Sequence, residues 1–254
     1  MRFGVCCGSD KFEFIRKAGY DYGEMCLNQI ADMDEAAFGR TRDEVEKSGI
    51  LAETFNCFFG GVRLTGPGVD YAGLADYADK ALERAALLGG KVAVLGSGGA
   101  RRIPEGFDPT VAGAQFLRVL QLCGEAALRH GMEIALEPLN QLETNIVNTV
   151  SAGAGFVEAA QCPGARLLVD FYHLFRENEP PENVIAAGKY LSHVHLARPS
   201  ADRKMPVEED MPTVRLWAET LKKAGYDGRL SLEGRMDDFD REVVETRPRL
   251  EVFR

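Results

Sequence analysis

A strand-like apolar run followed by a helical stretch recurs eight times along these 254 residues. That alternation leaves few architectures open. The strand-like runs are predicted over residues 3–7, 21–27, 50–59, 92–95, 133–138, 166–171, 191–197 and 229–233. Helices are predicted over 11–18, 34–48, 70–88, 108–130, 151–160, 181–187, 212–224 and 237–250. Asp108-Pro109 opens one helix and Gly131 closes it, the asymmetry expected of helix ends. Gly19, Gly49, Gly89 and Gly225 stop others. No Pro/Ser/Gly-rich linker interrupts the series. The predicted fold is α/β, a single (β/α)8 TIM barrel over 1–254. A doubly wound open sheet is the competing architecture. Gly96-Ser97-Gly98-Gly99-Ala100 does not complete the glycine fingerprint that would support it.

The barrel has a chemical corollary, because its active sites form at the C-terminal ends of strands. Four segments carry a potential metal ligand there. Glu137 closes Ile134-Ala135-Leu136, Asp170 closes Leu167-Leu168-Val169, His195 sits in Leu191-Ser192-His193-Val194-His195, and Glu233 closes Leu230-Ser231-Leu232. Each alone reads more readily as a helix cap, a rim carboxylate or a core histidine. Four consecutive strands ending this way point to one shared site. Three oxygens and one imidazole suit one divalent ion, Mn²⁺ first, with Mg²⁺ or Co²⁺ as alternatives and Zn²⁺ still open. Two carboxylates on opposite faces of a carbon can exchange acid and base roles beside a carbonyl. A divalent ion chelated by neighbouring oxygens supplies the Lewis acid.

The stretch Glu137-Pro138-Leu139-Asn140-Gln141-Leu142-Glu143-Thr144 resembles the sugar isomerase/epimerase family with a xylose-isomerase-like barrel. It is most similar to the ketose 3-epimerase branch (tagatose and psicose epimerases). Asp170-Phe171-Tyr172-His173, His193-Val194-His195, Asp202-Arg203-Lys204-Met205-Pro206 and Tyr226-Asp227-Gly228-Arg229-Leu230-Ser231-Leu232-Glu233 follow in that family's order. The resemblance implies Glu137, Asp170, His195 and Glu233 as metal ligands. It implies Glu137 and Glu233 as the catalytic acid/base pair, and Glu143, His173 and Arg203 as substrate-binding residues. Two departures stand out. The stretch from His195 to Arg203 is longer than in the sugar epimerases, so Arg198 competes for the arginine role. After Pro206 the chain has Val207-Glu208-Glu209-Asp210 in place of glycines.

The expected function is a divalent-metal-dependent isomerase or epimerase of a sugar or sugar derivative, working through an enediolate. A dehydratase of inosose or 3-dehydroshikimate type is an alternative on a similar site. An AP-endonuclease-like nuclease shares the barrel but needs more histidines than the four present. A binding protein on a degenerate barrel is disfavoured by the complete ligand set. The net charge of −9 argues against a nucleic-acid partner. No membrane-length apolar stretch or signal-peptide region is evident. Six cysteines without a C-x-x-C pair read as free thiols in a reducing cytoplasm. A homodimer or homotetramer stays open.

Other residues read more plainly. His193 faces the same side of its strand as His195 and divides evenly between supporting and packing roles. His130 serves a helix C-terminus. The Gly96–Arg102 loop reads as a tight turn with two surface arginines, ahead of a phosphate cradle built from its backbone N–H groups and an arginine. Glu24 and Glu53 line the pocket or pair with those arginines. Trp217 packs between helices.

Overall fold

The computed structural model describes residues 1–254 and is a closed eight-stranded parallel barrel in which each strand pairs with its sequence neighbours. β1 (Arg2–Cys6) leads to α1 (Phe12–Lys17), and β2 (Tyr22–Cys26) to α2 (Leu27–Asp32) and α3 (Glu35–Ser48). β3 (Ala52–Asn56) leads to α4 (Tyr71–Leu87), and β4 (Val92–Leu95) to α5 (Gly98–Arg101) and α6 (Pro109–Arg129). β5 (Glu133–Leu136) leads to α7 (Val150–Ala160), and β6 (Ala165–Asp170) to α8 (Phe171–Arg176) and α9 (Pro181–Ala186). β7 (Leu191–Leu196) leads to α10 (Met211–Lys223), and β8 (Arg229–Leu232) to α11 (Phe239–Thr246). β8 pairs with β1 and shuts the ring.

Strand parity places the chemistry. Successive side chains point to opposite faces. One face packs outward against the helices in a core of 59 buried residues. On the inward face Val92, Val94, Ala135 and Leu168 form a separate small cluster. The same parity that turns Ala135 and Leu168 inward turns Glu137 and Asp170 inward two residues later.

Five of the eight strands, β2, β3, β5, β7 and β8, are shorter than predicted. β3 covers five residues where 50–59 was expected, and β5 and β8 stop one residue before Glu137 and Glu233. Three short helices were not foreseen: α2 and α8 follow their strands directly, and α5 follows β4 after two intervening residues. At four to six residues they carry too little apolar periodicity to register. The predicted last helix, 237–250, becomes α11 followed by a 3₁₀ segment, Arg247–Phe253. Pro248 sits at the start of that segment, where its missing N–H costs nothing. Trp217 stacks on Phe171 with centroids 4.6 Å apart and planes 11° apart, the inter-helix packing expected of it. No helix is long and apolar enough to cross a membrane.

Candidate active site at the barrel mouth

The inward parity brings Glu137, Asp170, His195 and Glu233 together, with one ligand atom from each lying within 4.8 Å of the others. His195 is their centre. It is fully buried and pairs in register with Asp170 on β6. Its Nδ1 lies 3.2 Å from Glu137 Oε1 and 3.0 Å from Glu233 Oε2. Asp170 accepts the Tyr172 amide at 2.7 Å, capping α8 with one oxygen. Its other oxygen is left for the cluster. Three carboxylates and one imidazole form an oxygen-rich set that could hold a hard or borderline divalent cation.

The two glutamates sit in different electrostatic surroundings. Burial pushes the Glu137 carboxyl up, against a hydrogen bond from His195, and the nearby Glu233 charge adds to the rise. Burial pushes Glu233 up as well, but His195 and Arg203 outweigh it and hold Glu233 down at about 2. Burial disfavours the His195 imidazolium, yet Glu233 and Glu24 together raise it well above the usual histidine range. A carboxyl pair driven in opposite directions is the arrangement that separates an acid from a base.

Arg203 closes the cluster from the β7–α10 loop. Its Nη2 donates to Asp170 Oδ2 at 2.7 Å and also to Glu233 Oε2, and its Nη1 lies 3.8 Å from Glu143. The guanidinium sits 4.8 Å from the centre of the Tyr172 ring. Its backbone φ of 52° is left-handed, a conformation that costs a side-chain-bearing residue about 1–3 kcal/mol. A loop-to-loop contact holds it there, since the Arg203 carbonyl accepts the Arg235 amide at 2.7 Å. Arg198, the competing arginine, turns away to Asp210 at 3.1 Å and takes no part in the site.

His173 and Glu143 complete the wall. His173 Nδ1 accepts from the Asn140 amide at 3.2 Å and from its side chain at 2.8 Å. That bonding puts the ring proton on Nε2, which is buried without a hydrogen-bond partner at 3.4 Å from Asp170. Asn140 also donates to Glu143 Oε1 at 3.1 Å. Glu137, Glu143, His173, Arg203 and Glu233 line one cavity of about 500 Å³. A cavity of about 610 Å³ lies at the opposite end of the barrel around Met1 and Tyr226, where no such ligand cluster is found.

The structure adds residues that sequence reasoning passed over. Asn56, at the end of β3, donates to Glu233 Oε1 at 2.9 Å. It obeys the same strand-end rule as the acids and could have been found by it. Glu24 on β2 bonds His193 and His195, and Glu53 pairs with Arg2 and Arg229. Neither meets the loop arginines. Arg101 is not at the surface as expected. It is fully buried, bonded to the Leu95 and Val147 carbonyls and placed over Phe116, and burial lowers its guanidinium to about 10. Arg102 stays at the surface and donates to the Leu142 carbonyl. His130 caps α6 and lies 3.0 Å from Asp79, outside the site. All six cysteines are free.

Comparison with known proteins gives this geometry a setting. Residues 12–253 match the family model described as "Xylose isomerase-like TIM barrel". L-ribulose 3-epimerase from Methylomonas sp. (strain DH-1) is 30% identical over 133 residues, covering 52% of this chain and 44% of that protein. The chain thus aligns with less than half the length of that relative. 3-Dehydro-D-guloside 4-epimerase from Escherichia coli K12 is 24% identical over 241 residues, covering 89% and 87% of the two chains. Among solved structures, a D-allulose 3-epimerase from Methylomonas sp. in complex with D-allulose superposes with a TM-score of 0.83. That match covers 99% of this chain and 96% of the other at 21% identity, a likeness of fold.

Proposed function

The chain belongs to the xylose isomerase-like TIM barrel family, and we propose that it is a divalent-metal-dependent epimerase or isomerase of a ketose or ketose derivative. The observation that carries this reading is the meeting of Glu137 and Glu233, from the ends of β5 and β8, at one imidazole nitrogen inside one cavity. The epimerase names of the relatives support it.

Glu137, Asp170, His195 and Glu233 would hold the cation. When bound, it supplies Lewis-acid polarisation of the carbonyl and neutralises developing negative charge. Mn²⁺ is the first candidate, with Mg²⁺ and Co²⁺ next. Glu137 and Glu233 move protons: one, as carboxylate, takes the proton from the carbon next to the carbonyl, and the other, as carboxylic acid, delivers its own proton to the opposite face of that carbon. His173 offers its unpartnered Nε2–H to a substrate oxygen. Arg203 and Glu143 orient further hydroxyls through donors and acceptors fixed by the loop. Enclosure of Glu137 and Asp170, 6% and 2% exposed, limits water around the reacting carbon and strengthens each electrostatic contact there. The protein would act on a small molecule in the cytoplasm without a nucleic-acid partner.

The test is a solvent-deuterium exchange screen over free ketoses, hydroxypyruvate and inososes with Mn²⁺ present. Exchange at the carbon next to the ketose carbonyl is expected. Exchange should vanish on chelation and in both Glu137→Gln and Glu233→Gln. Full activity after chelation, or in either variant, sinks the reading. Loss of water from an inosose without ketose exchange would replace it with the dehydratase.

A further inference from the structure

We propose that Glu24 is the positioning residue for the cation site, fixing which nitrogen of His195 faces the carboxylates. The inference rests on the cluster of Glu137, Asp170, His195 and Glu233 being a cation site. Glu24 touches none of the three cluster carboxylates, and its role runs through an imidazole.

Glu24 lies on β2 and is fully buried. A bare carboxylate there would be strongly disfavoured. This one is well supplied with donors. Its Oε1 accepts from His195 Nε2 at 2.8 Å. Its Oε2 accepts from His193 Nε2 at 2.8 Å and from the Thr54 hydroxyl at 2.7 Å. Three strands, β2, β3 and β7, therefore converge on one side chain across the barrel interior. The two imidazoles stand edge to face, 4.9 Å between centroids and 83° between planes. His193, whose role the sequence left divided, is thereby tied to the same carboxylate.

The consequence concerns the proton on His195. A carboxylate only accepts hydrogen bonds, so the nitrogen facing Glu24 must be Nε2–H. Without a cation Nδ1 also faces carboxylates, Glu137 and Glu233, and carries a proton of its own. A bound cation would displace that proton, and Glu24, by keeping Nε2–H in place, leaves the freed lone pair on Nδ1, the nitrogen that faces the ligand cluster. Glutamine at position 24 would have the same shape but one acceptor and one NH₂ group. One of the two imidazole N–H groups would then meet a donor. Relief requires His193 or His195 to move its proton to Nδ1 or to rotate. For His195, either change withdraws the ligand lone pair.

The experiment compares Mn²⁺ binding to the native protein, Glu24→Gln and Thr54→Val, read from the electron paramagnetic resonance signal of free Mn²⁺. Glu24→Gln is expected to bind about 10- to 100-fold more weakly, the range for loss of a ligand's supporting partner. Thr54→Val, which removes a donor from Glu24 and leaves His195 held, should bind like the native protein. Native-like affinity in a folded Glu24→Gln overturns the proposal while leaving the cation site standing. Absence of Mn²⁺ binding by the native protein overturns both. Should Glu24→Gln not fold, the native protein decides: its ¹⁵N histidine spectrum with Mg²⁺ should show His195 protonated at Nε2. Protonation at Nδ1 would overturn the proposal.

Discussion

A Cβ built on Gly96 would lie 2.3 Å from Glu137 Oε2, so the glycine just after β4 makes the space in which the carboxylate just after β5 rests. The Gly96 backbone is not left-handed, and alanine there carries no intrinsic strain. The carboxylate is the far end of a flexible side chain and can give way. Gly96→Ala is therefore expected to leave the thermal midpoint within a few degrees of native while lowering kcat about 100-fold by misplacing Glu137. Melting curves and steady-state rates with the active ketose check both halves. An unaffected kcat would show that the Glu137 position has slack.

Arg203 holds two cluster carboxylates and faces a third residue, Glu143, with one planar group. Lysine offers a point charge and cannot span these partners. Arg203→Lys should raise KM for the ketose by about tenfold or more, the cost of a lost charge-assisted hydrogen bond at ~1.5–3 kcal/mol. The effect on kcat should be smaller. Initial-rate kinetics over substrate concentration separate the two.

Asn56 orients Glu233 through a single amide hydrogen bond at 2.9 Å. Leucine at that position removes the donor and keeps the bulk. A hydrogen bond to a charged group contributes about 1.5–3 kcal/mol, so Asn56→Leu should reduce kcat/KM about tenfold. A rate equal to native would mean that Arg203 and His195 hold Glu233 without help.

The pairing of His195 and Glu233 also sets how the metal-free protein responds to pH. Glu233 falls from an ordinary value of 4.5 to about 2 on folding. Its stabilisation is present above pH 4.5 and is lost as pH falls towards 2, on the order of 3 kcal/mol at ~1.4 kcal/mol per unit. His195 rises above its ordinary 6.5. Its stabilisation is complete below that value and fades as pH climbs towards the folded pKa. The pair thus favours a stability maximum between pH 4.5 and 6.5. Urea unfolding in a chelator should show ΔG falling on both sides of that window, and His195→Gln should flatten the alkaline side.

Much of this was legible in the chain. The strand–helix alternation fixed the barrel because each apolar run and each amphipathic stretch is a local signal. Glu137, Asp170 and Glu233 were visible because each closes its apolar run, and His195 because it stands near the end of its own. Pairing across the barrel was not visible. Glu24 lies 169 and 171 residues from its histidine partners, and nothing local to β2 announces them. The choice between Arg198 and Arg203 turned on a left-handed loop residue, which sequence spacing does not encode. Arg101 misled because a glycine-rich loop with two arginines has a solvated composition, yet the cation sits over Phe116 with two backbone carbonyls for company.

Trp217, the chain's only tryptophan, lies on the outer helical layer, and its indole rests on the ring of Phe171, the residue next to Asp170. The protein therefore carries its own optical probe, stacked on the ring of the residue next to a cluster ligand. Whatever shifts the end of β6, whether cation, ketose or proton, changes the packing of that indole and with it the emission of the whole molecule, with no label attached.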